Sequence, residues 1–134
     1  MLKKVLCTLC LLTLPLSAAA EEEELAPGFR ICMEKSGGVT MAMQDCLNEA
    51  YNYWDHLLNA NYKKAKAACD EMSGDPKQCR DKLLKAERAW IKYRDGMADV
   101  VWELNGGGTF SGVAAMDFLA TETKKQAKLL DVQY

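Results

Sequence analysis

Residues 69–79 read CDEMSGDPKQC, and this stretch decides the fold. Ser73-Gly74-Asp75-Pro76 stops any helix that enters it. Proline lacks the N–H that a helix interior needs but suits the first helical position. The aspartate before it can offer its carboxylate to the free N–H groups of the next turn. A turn this short between two helical segments makes them antiparallel neighbours. With Gly74 at the apex, Cys69 stands five residues before it and Cys79 five after. A disulfide between them would staple the hairpin near its closed end.

Both arms are long. Upstream, Met43, Leu47, Ala50, Trp54, Leu57, Leu58, Ala65 and Ala68 recur mostly at steps of three and four, the period of a helix with one buried face. Thr40, after Gly37-Gly38, is the expected N-cap, and the helix is expected to end near Met72. Downstream, a helix from Pro76 to about Leu104 carries the stripe Leu83, Ala86, Trp90, Tyr93, Met97, Val101, Leu104. Asn105-Gly106-Gly107-Gly108 stops it. A third helix, from Thr109–Ser111 to about Asp131, shows Val113, Met116, Leu119, Ala120, Thr123, Ala127 and Leu130. No segment alternates as a strand does. The expected fold is all-α: a long antiparallel hairpin, arms of roughly 45 Å at 1.5 Å per residue, covered by a third helix.

The N-terminus reads differently. Lys3 and Lys4, the apolar run Val5–Leu16 and Ala18-Ala19-Ala20 form the pattern of a secretory signal peptide over residues 1–20, cut after Ala20. The run is too short to span a membrane, so no span is expected after cleavage. Cys7 and Cys10 lie in that run and are not read as a redox or metal pair. Glu21 to Glu24 and Ala26-Pro27-Gly28 suggest a disordered acidic lead-in over residues 21–31.

Four cysteines remain: Cys32, Cys46, Cys69 and Cys79. An even count in a secreted chain reads as two disulfides. Of three possible connectivities, the local pairings Cys32–Cys46 and Cys69–Cys79 are expected. His56 is the only histidine and has no second ligand at a finger-like spacing, so neither a metal nor another cofactor is expected. Cleavage removes two of 17 Lys and Arg and none of 19 Asp and Glu, leaving a net charge of −4. That argues against nucleic acid as a partner and mildly favours a basic one, although a charge of this size also keeps a small domain soluble.

The hairpin register places Asp55 level with Tyr93 and Arg94, Leu58 and Asn59 level with Trp90, and Tyr62 level with Ala86. Trp90 and Tyr93 are therefore expected to fill the seam between the arms, with Asn59 as a polar partner. Asp55 is expected to pair with Arg94.

The same residues carry a family pattern. Thr40, Met43 and Cys46 are followed by Asp55-His-Leu-Leu58-Asn59-Ala-Asn-Tyr62, then Ala86-Glu-Arg-Ala-Trp90-Ile-Lys-Tyr93-Arg94-Asp95, then Gly107-Gly108-Thr109. In order and spacing they resemble the lysozyme-inhibitor LprI-like family of small secreted bacterial proteins, from about Cys32 to Leu130. The resemblance implies a helical domain over residues 32–134, a periplasmic or cell-envelope location, and lysozyme inhibition. Relatives usually carry a cysteine shortly after the Arg-Asp pair and another in the last helix. Here those regions hold Met97-Ala98, and Met116 and Phe118, so Cys69 and Cys79 look like a substitute staple.

No constellation suits an enzyme: His56 and Asp55 are adjacent on a helix and do not face each other, and the carboxylates are scattered. The leading expectation is a secreted or periplasmic binding protein that blocks a basic, lysozyme-like wall hydrolase. Its candidate partner-binding loop is Gly106, Gly107, Gly108, Thr109 and Phe110, with Phe110 as the apolar anchor. The alternative is a structural or accessory envelope protein.

Overall fold

The computed structural model describes residues 23–131. The expected signal peptide, residues 1–20, and its expected cleavage site lie outside the described residues. Four helices follow in order: α1 (Phe29–Lys35), α2 (Thr40–Glu71), α3 (Pro76–Leu104) and α4 (Thr109–Leu130). Among the described residues there is no strand, and no helix is long and apolar enough to cross a membrane.

The turn between α2 and α3 forms as its sequence dictates. Asp75 caps α3, its carboxylate accepting from the Gln78 N–H at 3.1 Å, and Pro76 opens the helix. Cys69 and Cys79 are disulfide-bonded with their Cα atoms 5.6 Å apart, and Cys32–Cys46 ties α1 to α2 at 5.7 Å. Asp70 and Arg80 form an ion pair beside the closed end. At the start of α2 the cap differs from expectation. Thr40 is already helical, and extended Val39 precedes it with no side-chain cap.

The third long helix does more than cover the hairpin. Gln44 donates to the Thr109 carbonyl at 3.3 Å, Asn61 donates to the Ala127 carbonyl at 2.9 Å, and Lys64 meets Asp131. These pairs advance together along both helices, so α4 runs parallel to α2. Arg94–Thr123 and Glu87–Gln126 run in opposite senses, so α4 is antiparallel to α3. Helix α2 packs more extensively on α4 than on α3. The arms are joined by sulfur at the closed end and mainly through α4 elsewhere.

Close approach depends on small residues. The buried face of α4 is Ser111, Gly112, Val113, Ala120, Thr123 and Ala127. A Cβ on Gly112 would overlap the end of the Gln44 side chain and press on Trp102. Opposite lie Leu47, Ala50 and Leu58 of α2 and Ala98 of α3.

Two expectations are corrected. First, the acidic lead-in is not loose from residue 23 onward. Ala26 is buried in a cluster with Ala50 and Ala120, and Leu25 and Phe29 pack against it. The Trp54 indole N–H donates to the Leu25 carbonyl, and Lys124 donates to the Glu24 carbonyl at 2.7 Å. Glu23 pairs with Lys128. Charges on α4 thus answer a run that by itself would repel. Second, the buried face of α3 is turned from the expected stripe. Glu87, Arg94 and Ala98 are buried, whereas Ala86 and Leu104 are exposed and Tyr93 is 53% exposed. Polar residues with partners on α4 occupy positions that an apolar pattern passes over.

Candidate functional site

Asp55, Asn59, Tyr62, Trp90 and Arg94 do come together. They line a groove of ≈ 330 Å³ between α2 and α3, joined by Leu58, Glu87 and Ile91 among others. The groove is open, which corrects the expected closed seam. The Asp55–Arg94 ion pair is absent as well. The Asp55 carboxylate instead accepts from the Asn59 amide at 3.1 Å, one turn along its own helix.

Arg94 turns inward, only 8% exposed. Its guanidinium carbon lies 4.9 Å from the Trp90 ring and 5.6 Å from the Tyr51 ring. Its Nε and Nη2 donate to Asp95 at 2.9 and 2.8 Å, and Nη1 reaches Thr123 at 3.4 Å. Glu87, one buried position earlier on α3, accepts from Gln126 at 2.8 Å. Glu87 and Arg94 both line the groove, and each also reaches α4. The two buried charges fasten α3 to α4, a role that register counting from the hairpin turn could not reveal because it ignores the third helix.

The glycine loop occupies the opposite, open end. Gly106 and Gly107 adopt φ of 86° and 67°, the left-handed backbone that favours glycine. Ser111 donates to the Asn105 carbonyl at 2.9 Å, closing the loop at its base. Residues 106–110 are all exposed. The Gln44–Thr109 bond brings the start of α2 to the same end. Four apolar side chains therefore stand in water there: Leu104 (81% exposed), Met41 (75%), Val39 (60%) and Phe110 (59%). Soluble chains rarely leave so many large apolar groups exposed at one end without a partner to cover them.

Charge is segregated along the bundle. No Lys or Arg occurs from residue 36 to 62 or from 95 to 122, while these segments hold Asp45, Glu49, Asp55, Asp95, Asp99, Glu103, Asp117 and Glu122. The closed-end segments, 63–94 and 123–131, hold thirteen Lys and Arg against six Asp and Glu, a balance of +7. The fold stacks the acidic segments together around the open end because α4 is parallel to α2. Net charge alone hides this division; the intervals between lysines in the sequence carry it. Asp117 lines a shallow groove with Leu25 and Phe29, and the loss of surrounding water pushes its carboxyl above the usual range. Among the described residues no cluster of His, Cys, Asp or Glu could hold a metal.

A family model described as lysozyme inhibitor LprI matches residues 32–130. The chain belongs to the LprI family. The LprI match takes in both disulfides, the α2–α3 groove and the exposed glycine loop. An uncharacterized protein of Rhizobium meliloti (strain 1021) is 31% identical over 93 residues, covering 64% of this chain and 67% of the relative. No solved structure matches. The two disulfides fit an oxidising, extracytoplasmic compartment.

Proposed function

We propose that this chain is a periplasmic or secreted inhibitor of a basic, lysozyme-type wall hydrolase, and that it acts through the open end of its bundle. The observation that carries this reading is the coincidence of an exposed apolar tip with acidic stretches of α2, α3 and α4 that hold no Lys or Arg over residues 36–62 and 95–122, Lys35 at the end of α1 being the nearest cation to the tip. The acidic collar, Asp99 and Glu103 included, would draw in a cationic enzyme and orient it. Phe110 and Leu104 would then supply the desolvated anchors on which affinity depends. The loop Gly106–Phe110 is exposed along its length, and its base is held by Ser111. Membership of a family named for lysozyme inhibition supports the choice of target.

The test is a wall-lysis assay with the purified, oxidised protein and a cationic lysozyme. Protection is expected and should weaken as salt is raised. Phe110→Ala should cost roughly tenfold or more in inhibition, and Asp99→Lys with Glu103→Lys should slow association, with little change in folding stability. No protection at micromolar excess would exclude that enzyme as the target. Undiminished protection by the Phe110 variant would remove the loop from the mechanism. Co-purification with an envelope component and no lysozyme complex would favour the accessory role.

A further inference from the structure

Helix α4 ends at Leu130, before the hairpin closes. Beyond that point the space between α2 and α3 is left as a cleft of ≈ 610 Å³, lined by Ala65, Ala68, Met72, Leu83, Ala86 and Leu130 and floored by the Cys69–Cys79 disulfide. One charged residue lines it, Lys82. Among the described residues Lys82 makes no ion pair, as is also true of Lys63, Lys66, Lys85, Arg88 and Lys92, but of these it is the one that lines the cleft. Mostly apolar walls with one placed polar group, at this volume, are the ordinary make-up of a small-molecule site.

We infer that this cleft binds a single-chain anionic amphiphile, a long-chain alkyl carboxylate, with its tail along the alanine walls and its carboxylate at Lys82. Two features select that occupant. The two arms at the closed end, residues 63–94, hold ten Lys and Arg against five Asp and Glu, a balance of +5, which favours an anion over a cation. The channel also tapers: it admits α4 higher up, but the disulfide brings the arms to a Cα–Cα distance of 5.6 Å. A helix, about 10–12 Å across with its side chains, cannot continue into it, while an alkyl chain can. The site lies at the other end of the bundle from the loop and does not depend on the inhibitory reading.

The experiment titrates the oxidised full chain with monomeric dodecanoate by calorimetry. Saturable one-to-one binding is expected. Dodecyltrimethylammonium, with the same tail and opposite charge, should bind more weakly. Lys82→Glu should weaken dodecanoate by about tenfold and not weaken the cationic probe. Ala86→Phe and Ala68→Phe, which fill the cleft from exposed positions on opposite arms, should each abolish binding while thermal unfolding is unchanged. The proposal is overturned by no saturable binding, by equal affinity for the two head groups, or by Lys82→Glu without effect. Binding only to phosphatidylglycerol vesicles would assign the face to a membrane surface instead. Binding that appears only after deletion of residues 132–134 would assign the cleft to the chain's own end.

Discussion

Arg94 offers the sharpest test of how the helices are held. Its two cation–π contacts are partly desolvated and contribute about 1 kcal/mol each. The Asp95 pair adds about 0.5 kcal/mol, because that carboxylate is largely in water. The long bond to Thr123 adds about 0.5 kcal/mol, and the buried stem packs besides. Arg94→Ala should therefore destabilise by about 3 kcal/mol, read as a lower urea midpoint at unchanged slope. Arg94→Lys should recover only part of this, since an ammonium lacks the planar face. Double-mutant cycles then separate the partners. Arg94 with Trp90→Leu should couple by about 1 kcal/mol, and Arg94 with Asp55→Ala by less than about 0.3 kcal/mol. A coupling to Asp55 of about 1 kcal/mol or more, or a loss below about 1 kcal/mol for Arg94→Ala, would refute the inward-turned guanidinium.

Three further outcomes follow from the same geometry. Replacing Cys69 and Cys79 by alanine opens a loop with a sequence separation of 10 and should lower stability by about 2.8 kcal/mol in the chain-entropy model; a denaturant titration that shows no loss would leave the closed end held by packing alone. Asn61→Leu removes the buried amide that reaches the Ala127 carbonyl but leaves that carbonyl its bond from the Asp131 N–H, so it should cost about 0.5–1.5 kcal/mol, with amide exchange accelerated across the end of α4. Asp117 has a raised pKa in the folded state, so the fold binds its proton more tightly than the unfolded chain does. Its ionisation disfavours folding, and this contribution to stability falls as pH rises above the unfolded value of about 3.9. Asp117→Asn should remove that slope, a gain of less than about 1 kcal/mol at neutral pH for a carboxyl still near water; a variant that loses stability at neutral pH would contradict the sign.

Most of the architecture was legible because turn chemistry is local. Asp75-Pro76 and the glycine run set helix ends that fell within a residue or two of expectation, and the two short-range disulfides formed as their spacing suggested. The side-chain partners were less legible. Counting outward from Gly74 presumes that the arms touch along their length, but α4 lies between them and turns Arg94 away from Asp55. Helical periodicity finds apolar residues, so it selected Tyr93 and missed Glu87 and Arg94, whose burial is satisfied by Thr123 and Gln126 from far along the chain. The lead-in was misjudged for a similar reason: Lys124 and Lys128, which hold it, are about a hundred residues away. The division of charge was available in the sequence, yet only the parallel course of α4 and α2 turns those intervals into two ends of one body.

That parallel course also bears on how the chain reaches its folded state. The contacts that complete the core join residues 65 and 66 positions apart, and the helix that supplies them is made last. A chain emerging from its N-terminus can form the hairpin and still lack the partner for most of the inner face of α2. Its assembly should thus be slower than that of a bundle closed by sequential neighbours. Until α4 arrives, the face of α2 that it covers stays open to water.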